Sequence, residues 1–195
     1  MRTAVIAAIS MALCASARAE SALPIAPTGV AVQLGGGLTG FARQEARDLF
    51  RTGGYWDLRA VWGSDSLLGA ECSYRASTNN GRAGLMGEAQ LLGDGVEAAA
   101  RINMPFQLER LRLTPFAFVG AGWTYYQVVE GRGLKDSNTS LLVLPFGAGV
   151  SGVIEHVIVD ARVTYRGAHA GQLVAAGTEV QLQSWSAGLT VGYEP

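Results

Sequence analysis

Apolar and polar residues alternate with a period of two through most of the chain after residue 28. Across 68–76 the even positions read Leu68, Ala70, Cys72, Tyr74 and Ala76, and the odd ones Gly69, Glu71, Ser73 and Arg75. Across 157–166 the odd positions are Val157, Val159, Ala161, Val163 and Tyr165, set against Asp160, Arg162, Thr164 and Arg166. Such alternation marks a strand lying between two different environments. Eight strands are predicted on this basis, at 29–41, 55–62, 67–78, a fourth ending at Met104, 115–128, 141–154, 157–166 and 183–193. The second sets Trp56, Leu58, Ala60 and Trp62 against Asp57 and Arg59, and the eighth sets Trp185, Ala187, Leu189, Val191 and Tyr193 against Ser184, Ser186 and Thr190. Helical periodicity of comparable quality is not found after the leader. The start of the fourth strand is ambiguous, because Gly93-Asp94-Gly95 also reads as a hairpin turn.

The connections alternate in length. Those at 63–66 and 155–156 are tight, whereas 42–54, 79–90, 129–140 and 167–182 are long. Short turns on one side and long loops on the other are what outer-membrane barrels show, and their strand number is even. That parity favours one continuous strand through Gly93–Gly95. The connection 105–114 is longer than the pattern asks. The predicted fold class is all-β, an eight-stranded antiparallel transmembrane β-barrel with up-and-down topology.

Charge distribution decides which face points inward. The polar face gathers Asp57, Glu71, Glu97 and Asp160 with Arg59, Arg75, Arg101, Arg162 and Arg166. Four acids against five arginines nearly neutralise, which a narrow interior requires because an unpaired buried charge is costly. Glu71, Arg75, Asp160 and Arg162 are expected in one network. The apolar face carries aromatics near the strand ends: Trp56, Tyr74, Trp123, Tyr125, Tyr165 and Trp185 toward the long loops, Trp62 and Tyr193 toward the tight turns. Amphipathic rings favour a lipid–water interface. A soluble barrel would bury its apolar side and expose the charges; the aromatic placement and charge balance argue against it. Gly35–Gly37, Gly120/Gly122 and Gly147/Gly149 lie inside strands and no lysine-serine/threonine follows them, so they are read as room for long arginines to cross the lumen rather than as phosphate loops.

Composition adds an address. Arg2, the apolar stretch 5–15 and Ala17-Arg18-Ala19 form an export signal with a small-residue cleavage site, expected at 1–19. Leu13 before Cys14 is the wrong residue for lipoprotein processing. An extended segment with Pro24 and Pro27, 20–28, leads into a barrel at 29–195. The full chain has a formal charge of −1, and losing Arg2 and Arg18 makes it −3. With Lys135 as its single lysine, it does not read as a nucleic-acid binder. Cys72 alone remains after cleavage, so no internal disulfide is expected. No apolar run after the leader is long enough for a membrane helix.

Three stretches carry a family resemblance: Pro115-Phe116-Ala117-Phe118-Val119-Gly120-Ala121-Gly122-Trp123, Leu144-Pro145-Phe146-Gly147-Ala148-Gly149-Val150, and Val159-Asp160-Ala161-Arg162-Val163-Thr164-Tyr165-Arg166. In that order they resemble the second half of the small outer-membrane β-barrels that include the OmpA transmembrane domain and OmpX-like proteins. The resemblance covers nearly all of the mature chain and implies fold and a Gram-negative outer-membrane location better than activity. Two departures stand out. Tyr193 is followed by Glu194-Pro195, where members usually end on the aromatic, and no peptidoglycan-binding domain follows.

The function expected is non-enzymatic: envelope integrity or surface interaction through the outer loops, with a closed, salt-bridged lumen. Outer-membrane lipids are the expected partners, with an extracellular ligand or surface at the loops, and no cofactor is called for. The first alternative is a lipid A deacylase or acyltransferase on the same barrel, using Asp136 and Ser137 in the third outer loop and His169 in the fourth. The histidine-x-serine pattern of the deacylases is absent, since Ala170-Gly171 follows His169, and such loop residues are ordinarily solvated. The second alternative is a narrow channel selecting anions through its arginine excess. His156 has no partner cluster in the sequence, so no metal site is expected.

Overall fold

The computed structural model describes residues 29–64, 66–82, 89–108, 111–129, 138–169, 173–175 and 178–195. The signal peptide and lead-in expected at 1–28 lie outside them, as do Asp136 and Ser137. The strands are β1 Val30–Phe41, β2 Gly53–Trp62, β3 Leu68–Asn80, β4 Gln90–Asn103, β5 Phe106–Leu108, β6 Leu111–Val129, β7 Asn138–Ile154, β8 Val157–His169, β9 Leu173–Ala175, β10 Thr178–Val180 and β11 Ser184–Tyr193. One helix, α1 Gln44–Leu49, lies between β1 and β2.

Eight long strands make a closed antiparallel barrel. β1 pairs with β2, β2 with β3, β3 with β4, β4 with β6, β6 with β7, β7 with β8 and β8 with β11; β11 returns to β1 and closes the ring. Closure leaves no open sheet edge, which a strand structure in hydrocarbon demands. Gly93, Asp94 and Gly95 sit inside β4, paired with Ser77, Ala76 and Arg75, so the fourth strand is continuous.

Side-chain parity follows the sequence pattern. Val32, Leu34, Leu38, Val119, Val163, Leu189 and Val191 point outward and are more than half exposed. Trp56, Trp62, Tyr74, Trp123, Tyr125, Tyr165, Trp185 and Tyr193 share that outward face, each with the parity of its strand's apolar row. The opposite parity holds Asp57, Arg59, Glu71, Arg75, Arg101, Asp160, Arg162 and Arg166, all buried. An apolar outside and an ionic inside is the arrangement of a barrel whose surrounding solvent is lipid.

Three connections differ from the sequence reading. Among the described residues, the stretch 105–114 is largely strand. β5 pairs Phe106 with Leu113, in the same register in which β4 pairs Asn103 with Phe116. β5 therefore continues the β4–β6 ladder beyond a break at Met104-Pro105, where proline has no N–H to donate. The segment 167–182 is likewise not loop throughout: β8 runs to His169, and β9 and β10 form a separate two-stranded sheet. Finally, α1 has only six residues, under two turns, too short to leave a recognisable period.

A buried apolar cluster lies toward each end of the lumen. At the long-connection end Phe41, Ala46, Phe50, Leu91, Tyr126, Val128, Leu141, Val143 and Leu182 form one buried cluster. The short helix delivers Ala46 and Phe50 to it. Phe50 N–H bonds to the Ala46 carbonyl at 2.9 Å and Arg82 N–H to the Leu49 carbonyl at 2.8 Å, tying this connection to the end of β3. At the tight-turn end Ala31, Val61, Val153 and Ile158 form a smaller cluster. The charged layer lies between the two.

Candidate functional site

Among the described residues, the densest chemistry is the ionic layer inside the barrel. Its centre is Arg162. The guanidinium donates to Glu71 through Nη1 at 2.8 Å and Nη2 at 3.2 Å, and to Asp160 through Nε and Nη2, both at 3.1 Å. Arg101 approaches the same two acids, with Nη1 3.6 Å from Glu71 and 3.5 Å from Asp160. It also donates to Asn103 at 2.6 Å and to Ser151 at 2.8 Å, and Ser151 donates on to Asp160 at 3.1 Å. Asn103 in turn donates to the carbonyls of Gly63 and Ser66, both at 2.9 Å, anchoring the β2–β3 turn to the network. Arg59 pairs with Asp57 and lies 4.0 Å from Glu71.

A second, smaller group sits nearer the long connections. Arg166 holds Glu97 with Nε at 2.5 Å and Nη2 at 3.1 Å, and donates to Ser186 at 2.7 Å. Glu97 shares β4 with Arg101, but four residues along a strand span about 13 Å. Across the lumen, Arg166 is within reach.

Arg75 departs from the sequence expectation. It forms no ion pair among the described residues; its guanidinium lies over the Tyr55 ring, 4.3 Å from the centroid. Glu71, Asp160 and Arg162 are together without it. Arg75 lies four residues toward the loop end of β3 from Glu71, again about 13 Å along a strand, and the aromatic face offers the cation a favourable surface instead.

Rings inside the lumen were missed by the sequence reading. The Arg101 guanidinium sits 3.5 Å from the Phe116 centroid, and Arg162 lies 5.0 Å from Phe116 and 4.9 Å from Phe118. The signal was present: Phe116 and Phe118 have the opposite parity to Trp123 and Tyr125 in β6. Gly147 and Gly149 make room for these rings. At Gly35, Gly37 and Gly120 a Cβ would first meet a carbonyl of the neighbouring strand, at 2.1 Å in each case, so those glycines serve close strand approach and not the crossing of arginines. An ideal Cβ at Gly149 would come within 2.5 Å of the Phe116 ring edge, and one at Gly147 within 2.9 Å of Phe118.

Glu194, one residue past the last strand, ties the tight-turn end together. It accepts from Ser64 at 2.7 Å and from Arg112 at 2.6 Å, and its N–H donates to the His156 carbonyl at 2.9 Å. The His156 ring packs on Tyr193, centroids 5.6 Å apart. One carboxylate thus joins the β2–β3 turn to the β5–β6 extension, and the same residue's backbone reaches the β7–β8 turn.

Of the residues singled out for lipid chemistry, His169 alone lies among the described residues. His169 is the last residue of β8, paired with Leu142, not a loop residue. Asp136 and Ser137 fall outside the described residues.

The closed ring, the outward apolar face and the ionic interior define the class: an eight-stranded up-and-down transmembrane β-barrel with the fold of the small outer-membrane barrels. Solved structures agree. The chain is similar to Neisserial surface protein A, with a TM-score of 0.62 at 15% identity over 84% of this chain and 96% of that one. It is similar to the outer membrane protein OprG of Pseudomonas aeruginosa, with 0.61 at 13% identity over 87% and 97%. A major outer membrane protein of Thermus thermophilus superposes with 0.50 at 12% identity over 86% and 98%. No protein-family model matches the chain, and no curated protein matches it.

Proposed function

We propose that this protein resides in the outer membrane of a Gram-negative bacterium with its long connections outside. There it serves envelope integrity or surface interaction through those connections rather than through transport or catalysis. The observation that carries the reading is a paired ionic layer inside the barrel with a buried apolar cluster toward each end of it, which we read as closing the lumen. Ions crossing it would have to pass both the Phe41–Phe50–Tyr126 cluster and the Ala31–Val61–Ile158 cluster, which line the path with hydrocarbon. Charges paired with one another also leave little to attract a permeant ion. Arg75, which forms no ion pair among the described residues, would suit an anion-selective channel, and it lies between the same two clusters. Similar barrels include one titled a surface protein, which suits a role borne by the outer surface. The outward aromatics act in this reading as the interfacial belt, and the ionic layer as internal bracing.

The test is conductance across planar bilayers containing the purified, heat-modifiable barrel. No regular steps are expected, and reproducible unitary conductance would refute the closed lumen. A separate measurement addresses catalysis. Mass analysis of lipid A from cells with and without the protein should show no acyl change. An acyl chain gained or lost with the wild type, and not with His169→Ala, would overturn the non-enzymatic reading.

A further inference from the structure

A groove on the outside of the barrel wall has the walls and the charge to take a cationic group. At the loop end of β2, β3 and β4 the outward residues form three rows across the sheet: Gly54, Thr78 and Leu92; then Trp56, Ala76 and Asp94; then Leu58, Tyr74 and Val96. Trp56 and Asp94 stand on either side of Ala76. Strands are about 4.8 Å apart, so two strands separate these walls by roughly 10 Å. Gly54 has no side chain and Ala76 only a methyl, so the floor is low. The resulting groove encloses about 400 Å³. Tyr74, in the next row, touches both walls: the hydroxyl donates to Asp94 Oδ1 at 3.0 Å, and the ring lies 5.5 Å from that of Trp56 at a 57° tilt.

Asp94 is unusual in this position. It is the one acid with outward parity among the described residues of the eight long strands. Those residues supply it with no cation; its partner is a neutral hydroxyl. Beside it, Trp56 is 48% exposed. A carboxylate across a groove from an exposed indole attracts an ammonium group by charge, and the aromatic ring adds cation–π attraction to a cation that settles on it. Asp94 is paired across the sheet with Tyr125, at the depth where interfacial aromatics meet lipid headgroups. The outward walls Trp56 and Asp94 therefore stand at headgroup level. We propose that the groove holds the ammonium-bearing headgroup of a lipid of the outer leaflet, one molecule per barrel. This rests on the barrel's lying in a bilayer, as proposed above.

The test uses the full mature chain in nanodiscs of phosphatidylethanolamine and phosphatidylglycerol in equal amounts, released gently and analysed by native mass spectrometry. Only protein that shows the heat-dependent gel shift is counted. The wild type should retain one phosphatidylethanolamine, with a preference of roughly tenfold over phosphatidylglycerol, the order expected of a cation held by a ring and a carboxylate. Asp94→Asn should abolish the preference and Asp94→Glu should keep it. Gly54→Leu fills the groove while leaving the charge, and it should abolish retention. Equal retention by wild type and Asp94→Asn would overturn the proposal. So would a preference for phosphatidylglycerol that disappears with EDTA, which would mean a bridging divalent cation. Failure of the chain to insert at all would instead refute the membrane reading itself, visible as the missing gel shift.

Discussion

Neutralising Glu71 tests the interior most directly. Its carboxylate takes two hydrogen bonds from Arg162 and lies within 4.0 Å of both Arg101 and Arg59. Glu71→Gln keeps the shape but removes the charge that three guanidiniums share. At an effective dielectric near 20 a single pair at 4 Å is worth about 4 kcal/mol. Relief of the carboxylate's own desolvation offsets part of the sum, and Asp160 remains for Arg162 and Arg101. The expected net loss is about 3–5 kcal/mol, the range for breaking one side of a buried ion pair. Glu71→Gln combined with Arg162→Met restores the charge balance, so the double variant should lose less than the two single losses added together. The coupling should be about 1–3 kcal/mol. Urea titration of the barrel folded into phospholipid vesicles measures all four proteins, with the gel shift as the readout of folding. Strict additivity would refute the network as a coupled unit.

Other consequences are more local. A spin label on Cys72, on the outward row of β3, should be accessible to oxygen and shielded from a polar relaxation agent in bilayers; the reverse would place that face in water. Gly149→Val should destabilise by about 1–3 kcal/mol, because its Cβ meets Phe116 and Arg162. Gly152→Ala, whose Cβ meets only Leu111 at 3.5 Å, should be near neutral in the same titration. Glu194→Ala removes the carboxylate that accepts from Ser64 and Arg112 and should cost about 1–3 kcal/mol. Hydrogen exchange should show the loss first at the β2–β3 turn and around Arg112 in β6, while the β7–β8 turn, held through the Glu194 backbone N–H, should change least.

The alternation in 68–76 and 157–166 determines most of the architecture. Period two is a local property, so each strand carries its own record of which side is apolar, and the lengths of successive connections carry the up-and-down order. Where local signals are weak or interrupted, the sequence misleads. Pro105 breaks the pattern, so the β5 extension reads as loop, and α1 is too short to show a period. The interior is legible in its membership but not in its pairing. That Glu71, Asp160 and Arg162 face the lumen follows from parity within single strands. That Glu97 meets Arg166, that Arg75 settles on Tyr55, and that Phe116 slips between arginines depend on the stagger and circumference of the closed ring. These set the distance between residues far apart in sequence. The buried apolar clusters belong to the same category: Phe50 and Leu182 come from different connections, and only closure brings them together. The sequence by itself determined which residues leave water and on which side of the wall. Tertiary structure alone decided which of them meet, because those distances are set across the barrel rather than along the chain.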